Sequence, residues 1–391
     1  MHDVLVVGAG PGGSAAAFYL ARAGLDVALI DRQEFPRDKT CGDALTPRAT
    51  AVLVEMGLLD QVRRAGNVVR SFRVFAPNQR STGVLMAGDQ TALSVRRLLL
   101  DDILMRGAAD AGAAFEPLVE AATIEQDGRS VRVKAARKGR EVEFSARVGV
   151  LATGAALRLP LAAGLAPRQP RFMVAGRAYF EAVEAPDDWE IRCHDVPLPG
   201  YAWVSPVADH LLNIGVGYMP GPRRVPIPAS VQAFTSSPSL RDRLVGAKAV
   251  GPIKSYPLRS DFTIAKTQVG RIFAVGEAAG LANPLTGEGI DYALESGRLA
   301  AEQIVEIFSN GDFLADRSTA YDRQLRARYQ SLFRFCETLR LFCGSRLALN
   351  LVVALADRRP DLKDGLVKRL LDPDPGDFQR RLARVSGRRG E

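Results

Sequence analysis

The residues in this chain best placed to do chemistry are two glycine turns and one carboxylate. Val4-Leu5-Val6-Val7 runs into Gly8-Ala9-Gly10-Pro11-Gly12-Gly13, and Ile272-Phe273-Ala274-Val275 runs into Gly276-Glu277-Ala278-Ala279-Gly280. Gly8, Gly10 and Gly13 have G-x-G-x-x-G spacing between a strand-like and a helix-like stretch. The first glycine permits the tight turn, the second lets a pyrophosphate approach the backbone, and the third lets the helix close on the strand. The unpaired N–H groups that open such a helix suit phosphate. Asp31 ends the next apolar run. A carboxylate there accepts hydrogen bonds from both ribose hydroxyls and repels a 2′-phosphate, which disfavours NADP. Two such turns far apart in sequence predict one long dinucleotide held at both ends, with FAD as the candidate. The plainer alternative is a glycine turn made only for packing.

These turns need elements to position them. Residues 3–7 and 26–31 read as strands around a helix over 13–23, a βαβ unit. Thr46-Pro47 opens a helix to about Met56, and Ser94 is expected to cap another with Val95, Leu98, Leu99 and Ile103 on one side. From 118 to 151 the pattern alternates with a period of two, a β-meander with turns at Asp127-Gly128 and Lys138-Gly139. Strands over 172–182, 201–207 and 211–218 predict a second, mostly antiparallel sheet. Helices follow from about 288 to the end. The expected fold class is α/β, with a discontinuous Rossmann-like FAD-binding domain, an antiparallel β-sheet substrate domain and a helical C-terminal region. The expected boundaries are 1–155 and 262–311 for the FAD domain, 156–261 for the substrate domain with help from 70–90, and 312–391 for the helical region.

Hydrophobic residues make up 47% of the 391 and charged residues 25%, an ordinary globular balance. No apolar run reaches the length of a membrane span. Strand-like sequence begins almost at Met1, so the reading predicts a cytoplasmic protein. Four unpaired-looking cysteines fit a reducing compartment. Three scattered histidines predict no metal site, and Cys193-His194 has no further ligands to join it. The net charge of +8 is concentrated from Arg317 to Glu391, where 17 Lys/Arg face 9 Asp/Glu. A basic, Leu/Phe-rich helical tail suits an anionic membrane surface, at the inner face of the membrane, or else a solvated helical cap. No nucleic-acid motif accompanies the charge.

The stretch Phe35-Pro36-Arg37-Asp38-Lys39-Thr40-Cys41-Gly42-Asp43-Ala44-Leu45-Thr46-Pro47-Arg48-Ala49 resembles the geranylgeranyl reductase family of FAD proteins, which has the p-hydroxybenzoate hydroxylase fold and includes menaquinone side-chain reductases. The resemblance continues in Arg97-Leu98-Leu99-Leu100-Asp101-Asp102-Ile103-Leu104 and in Gly276 to Ile290, and runs from residue 1 to about 310. It implies FAD contacts from Gly12, Asp31 with Arg32 beside it, Gly42, Asp43, Leu45, Arg97, Ala121, Glu277, Gly287, Gly289 and Ile290. Arg97 suits a pyrophosphate as a charge-assisted donor, or else is a surface helix charge. Gly287 and Gly289 open a helix whose N–H groups suit the flavin C2 carbonyl.

Three positions depart from the family pattern. Glu277 stands where the family usually has aspartate. Leu151-Ala152-Thr153-Gly154 lacks the acid of aromatic hydroxylases. Leu198 to Pro206 keeps Tyr201, Trp203 and Pro206 of the family's flavin-covering motif but not its other positions. Tyr201 in place of a tryptophan argues against a halogenase. Two apart in a strand, Tyr201 and Trp203 share a face and would wall an apolar channel, unless they are plain core. Cys41 is implied near the reactive face of the flavin, as a proton donor or as a packing cysteine.

The resemblance therefore implies saturation of isolated C=C bonds in a polyprenyl lipid or quinone side chain. The electron donor would be NAD(P)H or a reduced ferredoxin-type protein. An FAD monooxygenase or halogenase, and a flavin-bearing membrane-associated electron carrier, remain as alternatives.

Overall fold

The computed structural model describes residues 1–86, 92–181, 188–221, 225–311, 313 and 320–371. Along the chain, β1 (His2–Val7), α1 (Pro11–Arg22) and β2 (Val27–Ile30) form the βαβ unit. Then come β3 (Ala44–Leu45), α2 (Pro47–Met56), α3 (Leu59–Arg64), β4 (Asn67–Val69), β5 (Ser71–Phe75), β6 (Ser81–Leu85) and β7 (Ala92–Ser94). Helix α4 (Arg97–Asp110) leads to β8 (Ala114–Glu116), β9 (Val119–Gln126), β10 (Val131–Arg137), β11 (Arg140–Leu151) and the short α5 (Arg158–Ala162). The next stretch holds β12 (Phe172–Glu181), β13 (Trp189–Arg192), β14 (Gly200–Ala208), β15 (Leu211–Tyr218), α6 (Ile227–Thr235), α7 (Pro238–Arg241) and β16 (Lys248–Arg259). The chain continues with β17 (Gln268–Val269), β18 (Ile272–Ala274), α8 (Ile290–Asn310), α9 (Ala320–Phe342), α10 (Arg346–Arg358) and α11 (Pro360–Leu371).

The chain divides into two compact units, one of residues 1–37, 98–171 and 259–334, the other of 38–97, 172–258 and 335–391. These divisions differ from those expected from sequence, because all of 38–97 joins the second unit. In the first unit the sheet order is β17-β18-β11-β1-β2-β8, with β10 and β9 continuing from β11. β1 pairs in parallel with both β2 and β11, and β11 pairs in parallel with β18. Strands β1, β2, β11 and β18 are buried on both faces where they pair, as parallel strands between helices must be. Phe262, Tyr292, Tyr329 and Phe333 join α8 to the first part of α9 as an edge-to-face aromatic cluster.

The second unit has the sheet β16-β12-β15-β14-β13-β5-β6 and a small sheet β3-β7-β4. Alternation decides its two faces. Ala202, Val204, Leu212, Ile214 and Val216 point to one side and form a core with Val231 and Phe234 of α6. The residues between them point the other way. Helix α10 covers the edge strand β6, and Asn350 Oδ1 accepts the Asn78 amide at 3.0 Å. α10 buries Leu349 and Val353 but exposes Leu347, Leu351 and Leu355 at four-residue spacing, 81%, 69% and 47% accessible. Leu341 and Phe342 at the end of α9 are also exposed. No single helix among the described residues is long and apolar enough to cross a membrane. The part of the basic tail from 372 to 391 lies outside the described residues.

One expectation fails locally. Ser94 does not cap a helix: it ends β7, and α4 starts three residues later at Arg97. Its hydroxyl instead meets Ser205 Oγ at 2.9 Å and accepts Trp189 Nε1 at 2.6 Å. Side-chain partners contributed by distant strands override the local capping signal.

Candidate active site

In the first unit, strand order brings the two glycine turns together. β1 and β18 flank β11 in parallel, so their C-terminal ends lie at one edge of the sheet. Ala152 N donates to Val7 O at 2.8 Å and Val275 N to Leu151 O at 3.0 Å, so both turns start at the same level. Gly8 has φ 104°, and a Cβ there would stand 2.4 Å from Ala152 O. A Cβ on Gly13 would stand 1.8 Å from Gly8 O, one on Gly12 3.1 Å from Val275, and one on Gly297 of α8 2.4 Å from Gly12 O. The third-glycine role is therefore literal, and α8 leans on α1 through it.

The donor set fits FAD. Gly10 precedes α1 and Gly289 precedes α8, and neither N-cap residue has a side chain to close its helix, so the Gly12 and Gly13 amides behind Pro11 and the Ile290 amide of α8 suit an anion or carbonyl, while Asp291 Oδ1 accepts the Tyr292 amide at 2.9 Å. Asp31 is buried at the end of β2. Its Oδ2 accepts the Ala9 amide at 2.8 Å and its Oδ1 the Gln33 amide at 2.9 Å, which fixes the carboxylate beside the phosphate turn. Arg32 beside it is exposed. The loop before α8 is braced by Asn283, whose Oδ1 accepts Leu285 N and Thr286 N, and Gly287 adopts φ 69°. Ile290 is the first residue of α8 and is buried. Glu277 Oε1 accepts the Arg259 amide at 2.9 Å. Ala121 lies on β9, where its carbonyl accepts Arg158 Nη2.

Two buried ion pairs of this unit escaped the sequence reading. Arg37 Nη1 reaches Asp101 at 2.8 Å, and Arg259 Nε reaches Asp261 at 2.9 Å with both side chains wholly buried. The first gives the aspartate of the Arg97–Leu104 segment a buried partner within the first unit.

In the second unit, the sheet face opposite the α6 core carries Arg177 and Tyr179 on β12, Asn213, Gly215 and Gly217 on β15, and Tyr201, Trp203 and Ser205 on β14. Register aligns them in rows, Tyr179–Asn213–Ser205 and Arg177–Gly215–Trp203. Tyr201 and Trp203 share this face as expected, with ring centroids 6.1 Å apart. The Cys41–Asp43 loop lies against it. A Cβ on Gly42 would stand 3.7 Å from the Trp203 indole, and Asn213 Nδ2 donates to Cys41 O at 2.8 Å. Trp203 Nε1 donates to Asn213 Oδ1 at 2.9 Å.

Asp43 is fully buried with φ 63°. It accepts Tyr179 OH at 2.6 Å, Asn213 Nδ2 at 2.8 Å and the Arg97 amide at 3.3 Å. Loss of water pushes its carboxyl up to about 6, although the bonds from Tyr179 and Asn213 and the charges of Arg177 and Arg97 pull the other way. Cys41 is half-buried, and desolvation raises its thiol above the usual range. Arg177, 2% exposed, pairs with Asp38 at 2.6 Å and lies 4.0 Å from the Tyr179 ring centre. Desolvation works against the Asp38 carboxylate, but the Lys254 hydrogen bond and the Arg177 charge outweigh it and hold its pKa low. Leu45 is buried in β3, paired with Leu93. Tyr179, Asn213 and Arg177 were missed from sequence. Their signal was the polar or glycine phase of two alternating strands, Arg177-Ala178-Tyr179 and Asn213-Ile214-Gly215-Val216-Gly217. Among the described residues no His/Cys/Asp/Glu group suits a metal.

A doubly flanked parallel sheet with two phosphate-type turns, joined to an aromatic-faced antiparallel sheet, defines an FAD-dependent oxidoreductase. Residues 1–159 match the FAD binding domain family. The menaquinone reductase of Mycobacterium tuberculosis is 37% identical over 77% of this chain and 76% of its own length. That of Mycolicibacterium smegmatis is 33% identical over 98% and 96%. A geranylgeranyl bacteriochlorophyll reductase-like protein from Thermoplasma acidophilum shares the fold at TM-score 0.83, with 22% identity over 98% of this chain and 99% of its own. A flavin-dependent brominase shares it at 0.79, also 22% identical, over 99% of both chains. The chain belongs to the geranylgeranyl reductase family of FAD-dependent oxidoreductases.

Proposed function

We propose that the protein saturates isolated C=C bonds in the polyprenyl side chain of a quinone such as menaquinone. The observation that carries this is the Cys41–Gly42 turn laid on the sheet face that holds the Tyr201 and Trp203 rings, where desolvation raises the Cys41 thiol above its usual range. Bound and reduced, FAD supplies a hydride at N5. The Gly12 and Gly13 amides at the start of α1 would hold its pyrophosphate, Asp31 its ribose, and the start of α8 its ring carbonyl. The alkene gains that hydride on one carbon and a proton on the other, so Cys41 Sγ–H is assigned as proton donor or positioner. Tyr201 and Trp203 orient the chain and exclude water. The two electrons come from NAD(P)H or a reduced ferredoxin-type protein.

An anionic membrane surface is the proposed place of work. Exposed Leu347, Leu351 and Leu355 suit insertion among acyl chains, and exposed Arg346 and Arg358 at the two ends of α10 suit acidic headgroups.

Anaerobic single turnover of the reduced protein with a menaquinone tests the reading by mass: a gain of about 2 Da per saturated bond supports it. Gain of oxygen or halogen in air would favour a monooxygenase or halogenase instead, and no product would favour an electron carrier.

A further inference from the structure

One buried amide ties three functional groups together. Asn213 Nδ2 donates both to Cys41 O and to Asp43 Oδ2, each at 2.8 Å, while its Oδ1 takes the Trp203 indole proton. Asp43 is further held by Tyr179 OH, and its own carbonyl accepts the Val95 amide at 2.8 Å. The carboxyl of Asp43 thus sits at the centre of the loop that carries Cys41, out of reach of water. We propose that Asp43, fixed in its loop by Asn213 and Tyr179, is a proton-switched positioning residue whose ionisation keeps the Cys41 thiol protonated for its role in alkene reduction.

Ionised, the carboxylate accepts from all three donors, and its negative charge adds to desolvation in opposing a Cys41 thiolate, against the Arg97 and Lys39 charges and the Asp43 backbone bond, which favour one. Neutral, it carries a hydrogen that one of those contacts must accommodate, and Tyr179 OH, which both donates and accepts, is the group able to turn. The charges around the carboxyl come from every side. Arg97 heads α4, Arg177 lies on β12 beside Tyr179, Arg96 sits 5.0 Å from the Tyr179 ring centre, and Lys39 acts on Cys41 from its own loop. Of these, Arg177 and Arg97 favour the carboxylate, desolvation opposes it, and the balance falls near neutrality. Above that balance the thiol has a second reason, besides its own desolvation, to remain a proton-bearing acid.

The inference rests on Cys41 being the working thiol, but its test needs no lipid and no turnover. The FAD-loaded, full-length protein is alkylated with iodoacetamide from about pH 5 to pH 8, and the Cys41 peptide is followed by mass apart from Cys193, Cys336 and Cys343. For an isolated thiol the logarithm of the rate climbs with unit slope. The wild type is expected to flatten around pH 6, where Asp43 ionises. Asp43→Asn should restore unit slope and react about tenfold faster at the upper end, one pK unit of coupling. Tyr179→Phe, which removes one bond to the carboxylate, should move the flattening to higher pH. A straight wild-type profile overturns the proposal, and so does an Asp43→Asn profile that keeps the wild-type shape while shifting uniformly. An Asp43 proposal that fails here leaves the alkene-reduction assay to judge Cys41 on its own.

Discussion

At Gly8–Gly13 backbone touches backbone: Gly13 rests on Gly8 O, Gly8 on Ala152 O, and Gly297 on Gly12 O. At Cys41–Asp43 the chain is instead held by side chains that arrive from β12, β14 and β15. The first kind of turn has no slack, because a peptide cannot move aside without moving its strand. The second has several partial supports, each removable alone, and the carboxyl they hold, Asp43, titrates. Damage to the first should be all-or-none, and damage to the second graded and pH-dependent.

The contrast can be broken at its strongest point first. Gly13→Val places carbon where Gly8 O stands, and should cost about 4 kcal/mol or more with complete loss of bound flavin, read by thermal unfolding and visible absorbance. A yellow, stable variant would refute the backbone account.

The next largest effect concerns pH. The folded pKa of Asp43, about 6, lies above its ordinary value of 3.8, so the fold prefers the protonated group. Its contribution is complete below about pH 4 and is lost as pH rises through 6, a swing of about 3 kcal/mol. The stability of Asp43→Asn relative to wild type should therefore improve by roughly that amount between about pH 4 and pH 7, measured by urea unfolding. A constant difference would place the carboxyl in a less demanding environment.

Gly215→Ala puts a methyl 2.1 Å from Trp203 Cζ2. Crowding of about 1–3 kcal/mol and altered tryptophan fluorescence are expected, with flavin retained. Trp203→Phe removes the bond to Asn213 Oδ1 at a cost of about 1 kcal/mol. Smallest is Leu351→Ser on the exposed face of α10, within about 0.5 kcal/mol on stability. Its effect should instead be seen as weaker low-salt sedimentation with acidic vesicles, and equal binding would leave α10 a simple cover for β6.

The same contrast decides what could be read from the chain. Glycine spacing is a local code for close backbone approach, so β1, α1, β2 and the turn before α8 were legible, as were the alternating strands of the second sheet. The Asp43 network was not. Tyr179 and Asn213 are 34 residues apart and meet only because β12 and β15 pair in one register. Ser94 misled for a related reason, since its partners Ser205 and Trp189 come from other strands. The pairing of Arg37 with Asp101 was likewise hidden, although both residues lie in segments singled out from sequence.

The indole of Trp203 lies over two side-chain-free positions of its neighbouring strand, Gly215 and Gly217, where added carbons would stand 2.1 and 3.7 Å from the ring. The ring is thus a floor tile laid on bare peptide rather than a post standing in a pocket. Its height above the sheet is set by its contact with that bare backbone. The depth available above it is therefore adjustable in one direction only: any side chain added at 215 lifts the floor and makes the space shallower.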